Sequence, residues 1–134
     1  MANNLVDLDI SRKFTNNNQK AYDMLTWVKK DSVLMNPMTK ETVFEQLGVE
    51  FPDDWSLNAI NIVSQKYFSG TPGADDRESS LKHLIDRVAD TITRQGLQEG
   101  YFDSEVDSET YREELKYILA TQRAAFNSPV WFNI

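Results

Sequence analysis

The sequence predicts an α+β domain in which a small β-sheet precedes three amphipathic helices. Two observations carry this prediction. Apolar residues recur with a period near two over the first fifty residues, and with a helical period from Asp53 onward. A chain of 134 residues, 40% of them hydrophobic, is long enough to bury one core. We expect a single domain over residues 1–134, mainly β over 1–52 and mainly α over 53–126, with a further strand starting at 127–134.

The β portion consists of apolar segments separated by a turn. Trp27–Met35 and Thr42–Phe51 are rich in β-forming side chains. Between them, Asn36–Lys40 contains a proline that fixes φ and an asparagine that favours a turn. Apolar and polar residues also alternate over Val6–Ser11, which predicts a strand with one solvated face. The sequence therefore predicts a small antiparallel sheet of two or three strands.

The first two predicted helices are separated by a loop rich in glycine. Asp54 or Ser56 can cap the first helix, whose apolar face is Leu57, Ile60, Val63 and Tyr67. Ser69–Gly73 ends that helix, because glycine and proline break the helical pattern. The acidic residues between 75 and 78 offer a start to the second helix, which we expect to end near Gly96.

The third predicted helix begins at Asp107, where Val106 and Tyr111 have the spacing of a hydrophobic staple. Its apolar stripe is Tyr111, Leu115, Ile118, Leu119, Gln122 and Phe126. The acidic residues from Asp103 to Glu114 imitate the spacing of a calcium loop, but Ser108 stands where the sharp turn needs glycine. We interpret these acids as the solvated N-terminus of a helix, stabilised by its dipole.

Composition excludes several classes of function. The chain has no cysteine and one histidine, so it carries no disulfide, thiolate metal site or thiol chemistry of its own. Its net charge of −7 argues against binding nucleic acid or an anionic membrane. The first residues do not resemble a targeting signal, and no apolar run is long enough to span a bilayer. We therefore expect a cytoplasmic protein.

The C-terminal segment is unusually apolar for the end of a chain. Val130–Ile134 contains Val, Trp, Phe and Ile after the helix-breaking Pro129. Exposing such side chains forgoes about 1.5–3 kcal/mol each of burial free energy. Two interpretations stay open on physical grounds: a last strand that packs on the domain's own sheet, and the first strand of a larger structure.

Several stretches of the sequence resemble the adenosylcobalamin-dependent (class II) ribonucleotide reductases. The most specific is Gln122–Asn133, with the Asn-Ser-Pro triplet at its centre. Further stretches that fit the family are Arg12–Thr15, Val43–Glu45, Ile62–Phe68, Arg77–Ser80, Leu84–Ile92 and Gly100–Phe102. The resemblance covers nearly the whole chain. It implies the N-terminal portion that precedes a ten-stranded α/β barrel, with the C-terminal segment as the start of a barrel strand.

The resemblance also implies a substrate site. In this family the Asn-Ser-Pro turn lies beside the bound ribonucleotide, on its phosphate side. Carried over, Ser128 contacts the substrate, Pro129 shapes the turn and Asn127 is a weaker neighbouring candidate. Ser128-Pro129 also suits a turn that ends a helix, and we expect both roles to hold. The resemblance leaves open whether the substrate is a diphosphate or a triphosphate.

The resemblance further implies that this chain is one part of the enzyme. In the family, adenosylcobalamin generates a cysteine thiyl radical, and a cysteine pair then reduces the ribose. The first cysteine of that pair is expected a few residues after Asn133, so this piece alone is predicted to be inactive. The cofactor is expected on the remaining reductase chain, which would be the partner of this one. The alternative is a free-standing acidic interaction module that binds another protein through its apolar C-terminal tail.

Overall fold

The computed structural model of the chain describes residues 9–134. A 3-10 helix over Ala21–Met24 precedes two strands, β1 (Trp27–Met35) and β2 (Thr42–Pro52). The helices over this part of the chain are α1 (Leu57–Lys66), α2 (Leu81–Gln98), α3 (Glu105–Ala120) and α4 (Ser128–Asn133). The order confirms the predicted α+β class. Half of the strand predicted over Val6–Ser11 lies outside the described residues, and Asp9–Ser11 has no regular structure.

The two predicted strands form an antiparallel hairpin. Pairing extends from Trp27 opposite Pro52 to Met35 opposite Thr42, next to the turn. Over the described residues the sheet has two strands. Asn36 closes the turn: its side-chain oxygen accepts the Met38 N–H at 2.8 Å, and its carbonyl accepts the Lys40 N–H at 2.8 Å. Lys40 takes the left-handed conformation with φ 63°. The strands and the turn are therefore confirmed.

Each of the three long helices begins after a serine whose side chain accepts a hydrogen bond from the first turn. Ser56 caps α1, so of the two predicted cap residues, Asp54 and Ser56, the second is confirmed. Ser80 caps α2, so that helix begins after the acidic residues 75–78 that were predicted to start it. Ser104 caps α3, which begins two residues before the predicted Asp107. A serine in extended backbone competes successfully with nearby carboxylates for the cap because its short side chain reaches the N–H groups directly.

The predicted staple of the third helix is wrong. Val106 lies inside the first turn of α3 and is 70% exposed, so it does not close over Tyr111. Of the predicted apolar stripe, Leu119 is buried, whereas α3 ends before Gln122 and Phe126. The buried face of α3 is instead largely polar. Its buried members are Asp107, Ser108, Thr110, Glu113, Glu114, Lys116, Leu119 and Ala120.

The core lies between the hairpin, α1, α2 and the end of α3. Its buried members are Val49, Phe51, Ile60, Phe68, Leu81, Leu84, Ile85, Ala89, Leu119 and Ala120. β2 is tied to the start of α2 because the Glu50 N–H donates to the Ser79 carbonyl at 2.9 Å. The Ser80 hydroxyl also donates to the Glu50 carboxylate at 2.7 Å. These contacts fix the start of α2 against the sheet.

The C-terminal segment forms a short helix, not the predicted strand. α4 covers Ser128–Asn133, and Pro129 stands in its first turn, where the missing N–H costs nothing. The β-forming side chains of Val130–Ile134 favoured a strand, but the segment is helical and packs against α2. Trp131 packs against the core from α4. That this segment begins a barrel stays a prediction.

Candidate functional site

The predicted substrate turn lies where α4 begins. Asn127 is exposed and has extended backbone, with φ −64° and ψ 153°, and its carbonyl accepts the Val130 N–H at 3.0 Å. Ser128 is half-buried, and its Oγ lies 2.8 Å from the Oη of Tyr67 at the end of α1. Pro129 is exposed. Of the three predicted residues, Ser128 is therefore the one whose side chain is held by another side chain.

Arg87 of α2 fixes the C-terminal segment to the rest of the domain. One guanidinium nitrogen donates to the main-chain oxygens of Trp131 at 2.6 Å and Ile134 at 2.8 Å. A second donates to the Tyr67 carbonyl at 3.3 Å. The same guanidinium forms a salt bridge with Glu78 at 3.0 Å, and both side chains are largely buried. The planar fork of arginine suits this role because it presents several donors in a rigid geometry.

Aromatic contacts complete the attachment of α4. The Phe132 ring stacks on the Tyr67 ring, with the centroids 5.2 Å apart and the planes 5° from parallel. The Trp131 indole N–H donates to the Phe126 carbonyl at 2.9 Å. Beside Trp131 lies an apolar groove of about 290 Å³, which Trp55 and Val63 also line. Aromatic contacts and hydrogen bonds from Arg87 therefore both hold α4 against the rest of the domain.

Three stretches that are distant in the sequence meet at this place. Tyr67 belongs to the stretch over residues 62–68, Glu78 and Arg87 to those over 77–92, and Ser128 and Trp131 to 122–133. They meet at the start of α4, where Tyr67 contacts Ser128, and Arg87 contacts Glu78 and the main chain of Tyr67 and Trp131. The fold therefore brings together residues that are distant along the chain.

The chain reaches this site through a well-defined helix end. α3 closes with the Arg123 N–H donating to the Ile118 carbonyl at 3.0 Å and the Gln122 N–H donating to the Leu119 carbonyl at 3.2 Å. This pair of bonds is the Schellman arrangement, which places the residue after the cap in the left-handed region. Gln122 has φ 59°. Because that conformation reverses the chain direction, residues 123–127 leave α3 and return toward α1 and α2.

A second polar cluster lies at the other end of the described chain, and sequence analysis missed it. Glu114 of α3 accepts the main-chain N–H groups of Lys13 at 2.6 Å, Phe14 at 2.9 Å and Thr15 at 2.7 Å, as well as the Thr15 hydroxyl. Glu114 is buried, so the interpretation of this acidic run as a solvated helix start is wrong for it. Its carboxylate instead fastens the N-terminal segment to α3. Across residues 9–134, no group of three or more His, Cys, Asp or Glu side chains is placed to hold a metal ion.

Two further carboxylates of α3 act in the same way. Asp107 accepts the Ile10 N–H at 3.0 Å, and Glu113 accepts the Ala21 N–H at 2.7 Å. A signal for this role was present in the spacing, since Asp107 and Glu114 are seven residues apart and share one face of a helix. The contacts span about a hundred residues of chain, however, and no local pattern predicts which main-chain groups return to that face.

The hydrogen bonds change the acidity of these groups. Burial alone would raise the pKa of Glu114, but the Thr15 hydroxyl and the three main-chain N–H groups hold its pKa below the ordinary 4.5. The Ile10 N–H and the Ser104 hydroxyl hold the pKa of Asp107 below 3.8. Both carboxylates are therefore stabilised in the charged form.

Over residues 9–134, no helix has the length and apolar character needed to cross a membrane.

Comparison with known proteins gives the class of protein to which this fold and site belong. A family model described as class II vitamin B12-dependent ribonucleotide reductase matches residues 29–122. A vitamin B12-dependent ribonucleotide reductase from Streptomyces clavuligerus is 46% identical over 127 residues, which cover 95% of this chain and 13% of the relative. One from Rhodopirellula baltica is 47% identical over 93 residues, or 69% of this chain and 9% of the relative.

A more distant relative gives the same result. The vitamin B12-dependent ribonucleotide reductase from Agrobacterium fabrum is 31% identical over 157 aligned positions, covering 92% of this chain and 12% of the relative. The chain belongs to the class II vitamin B12-dependent ribonucleotide reductase family, in which it corresponds to the N-terminal portion. It spans 9–13% of the length of these curated relatives. The family expected from the resemblance is thereby confirmed.

Proposed function

We propose that this chain is the N-terminal part of an enzyme that reduces ribonucleotides to deoxyribonucleotides by a cobalamin-initiated thiyl radical mechanism. Its contribution is the turn at Asn127–Pro129, with Ser128 on the phosphate side of the substrate. The observation that supports this most is that residues from distant family-like stretches meet at the start of α4, where the Ser128 hydroxyl lies 2.8 Å from the Tyr67 hydroxyl. A fixed hydroxyl suits a phosphate oxygen because it can donate a hydrogen bond to it without losing rotational freedom on binding.

The chain itself offers little for the cofactor. Adenosylcobalamin supplies the radical chemistry when it is bound, and that chemistry needs cysteine thiols, of which this chain has none. We therefore place the cofactor and the catalytic cysteines on the remainder of the reductase. It follows that this chain alone is inactive.

The family membership favours this function over the alternative of a free-standing interaction module. That alternative depended on an apolar tail free to bind another protein, whereas Trp131 of the tail packs against the chain's own core. Phe132 is partly covered by Tyr67 as well. The choice between a diphosphate and a triphosphate substrate stays open, and a cytoplasmic location stays a prediction.

Joining this chain to the downstream remainder of a class II relative tests the proposal. The joined enzyme should reduce ribonucleotides in the presence of adenosylcobalamin and a dithiol, and neither piece should do so alone. Ser128→Ala should raise KM by about tenfold, the effect of losing one hydrogen bond to a charged group. Ser79→Ala, which changes an exposed serine at the start of α2, is the matched control. A joined enzyme that assembles and stays inactive would contradict the proposal.

A further inference from the structure

The hydroxyl pair of Tyr67 and Ser128 raises the question of which group donates. The two oxygens are 2.8 Å apart, and either of them has a proton to give. A phenol is the stronger donor and an aliphatic hydroxyl the stronger acceptor, so the favoured arrangement has Tyr67 donating to Ser128 Oγ. Because a serine hydroxyl has a single proton, that arrangement leaves the Ser128 proton free for another acceptor. An acceptor with negative charge, such as a phosphate oxygen, is the best match for it.

We propose that Tyr67 is a positioning residue that orients the Ser128 hydroxyl toward the substrate phosphate. This inference rests on the proposed function of Ser128 and names how that function is achieved. Tyr67 donates to Ser128, and Ser128 donates to a phosphate oxygen of the ribonucleotide. Each donor in such a chain is polarised by the previous one, which strengthens the last hydrogen bond.

The surroundings of Tyr67 suit this role because they hold its hydroxyl in place. Its ring is stacked on Phe132 at 5.2 Å, which fixes the ring plane. Its main-chain N–H donates to the Val63 carbonyl at 2.9 Å, and its carbonyl accepts from Arg87. The guanidinium of Arg87 also holds the Trp131 carbonyl, three residues after Ser128. One side chain therefore fixes the main chain on both sides of the hydroxyl pair.

The test uses the complete reductase, formed by joining this chain to the remainder of a class II enzyme. Tyr67→Phe keeps the ring that stacks on Phe132 and removes only the hydroxyl. It should raise the KM for the ribonucleotide by about three- to tenfold, with kcat and the thermal unfolding midpoint nearly unchanged, since one positioned hydrogen bond is weakened. Tyr117→Phe removes a phenolic hydroxyl from a ring that stacks on Phe14 and should leave KM unchanged.

The double variant distinguishes positioning from an independent contact. If Tyr67 acts through Ser128, the double variant of Tyr67→Phe and Ser128→Ala should have the same KM as Ser128→Ala alone, because the path is already broken. Multiplied effects would overturn the inference, since Tyr67 would then act without Ser128. A raised KM for Ser128→Ala with an unchanged KM for Tyr67→Phe would also overturn it, and would leave the proposed function standing. Unchanged KM in both single variants, or a joined enzyme without activity, would refute the proposed function and the inference together.

Discussion

The N-terminal and C-terminal segments of the described chain are held to the helices by charged side chains of opposite sign. At the N-terminal segment, the Glu114 carboxylate accepts main-chain N–H groups of residues 13–15. At the C-terminal segment, the Arg87 guanidinium donates to the main-chain oxygens of Trp131 and Ile134. In both cases one buried charge satisfies several polar groups of a segment that lies outside regular secondary structure or at its edge.

The difference lies in what acid does to the two attachments. A carboxylate can be protonated near its pKa, whereas a guanidinium stays charged over the whole working range of a protein. The segment that carries Ser128 is held by the guanidinium of Arg87, with aromatic stacking added. The N-terminal segment is held by carboxylates. The two ends are therefore attached by different chemistry, a carboxylate at one and a guanidinium with aromatic stacking at the other.

Removal of Arg87 should have the largest effect on stability. Arg87→Ala removes the ion-pair partner of Glu78 and the donor to the carbonyls of Tyr67 and Trp131, so we expect a loss of about 3 kcal/mol in the free energy of unfolding. Urea denaturation measures it. Arg94→Ala, at an exposed position on the same helix, should change that free energy by less than about 0.5 kcal/mol. Equal losses in both variants would show that Arg87 is not the attachment of α4.

Removal of the Glu114 charge should come next. Glu114→Gln keeps one acceptor oxygen but brings an NH₂ group against main-chain donors, which we expect to cost about 2 kcal/mol. Hydrogen exchange should accelerate at the amides of Phe14 and Thr15 and not in α4. Glu105→Gln, at an exposed position of α3, is the matched control. Faster exchange in α4 as well would mean that the two ends are not independently attached.

Lowering the pH should weaken the N-terminal attachment. The pKa of Glu114 is below its ordinary 4.5, so its contribution to stability is present above pH 4.5 and is lost as the pH falls through the lower, folded-state value. A single such carboxylate changes the free energy of unfolding by at most about 1.4 kcal/mol per pH unit. Urea denaturation between pH 7 and pH 3 should show this slope, and Glu114→Gln should flatten it. A slope that Glu114→Gln leaves unchanged would assign the pH dependence to other carboxylates.

Removal of the Phe132 ring should have the smallest effect. Phe132 is 58% exposed, and its contribution is the stacking contact with Tyr67. We expect Phe132→Ala to cost about 1 kcal/mol, because little area is buried beyond the stacked faces. Phe132→Tyr keeps the stack and serves as the control. A loss as large as that of Arg87→Ala would show that stacking, rather than the guanidinium, holds α4.

Local patterns predicted the parts of the fold that depend on local chemistry. The alternation in the two strands and the Asn-Pro turn between them were sufficient, because a hairpin is specified by its own residues. Helix starts were missed by a few residues where Ser80 and Ser104 served as caps in place of acidic neighbours. The C-terminal helix was missed because β-forming side chains outweighed Pro129, whose position in a first turn is favourable.

The surroundings of Ser128 could not be predicted, for a related reason. The substrate role of Ser128 stays a prediction from the resemblance, and nothing in the spacing indicated that Tyr67 would contact its hydroxyl or that Arg87 would bind the main chain of α4. The role of Glu114 was missed because its partners are about a hundred residues away in the chain. Contacts of this kind depend on tertiary structure, in which a helix that looks amphipathic can bury a polar face.

The backbone conformation of Gln122 affects where Ser128 lies. The chain turns at this single left-handed residue, and Ser128 follows six positions later. Six residues can extend over about 20 Å, so a rotation of about 10° at Gln122 would displace the far end by up to about 3.5 Å. Substrate contacts tolerate displacements of only about 0.5 Å. Residues 123–128 therefore need contacts near Ser128 to limit this displacement. Tyr67 and Arg87 provide them, because they contact the Ser128 side chain and the Trp131 carbonyl.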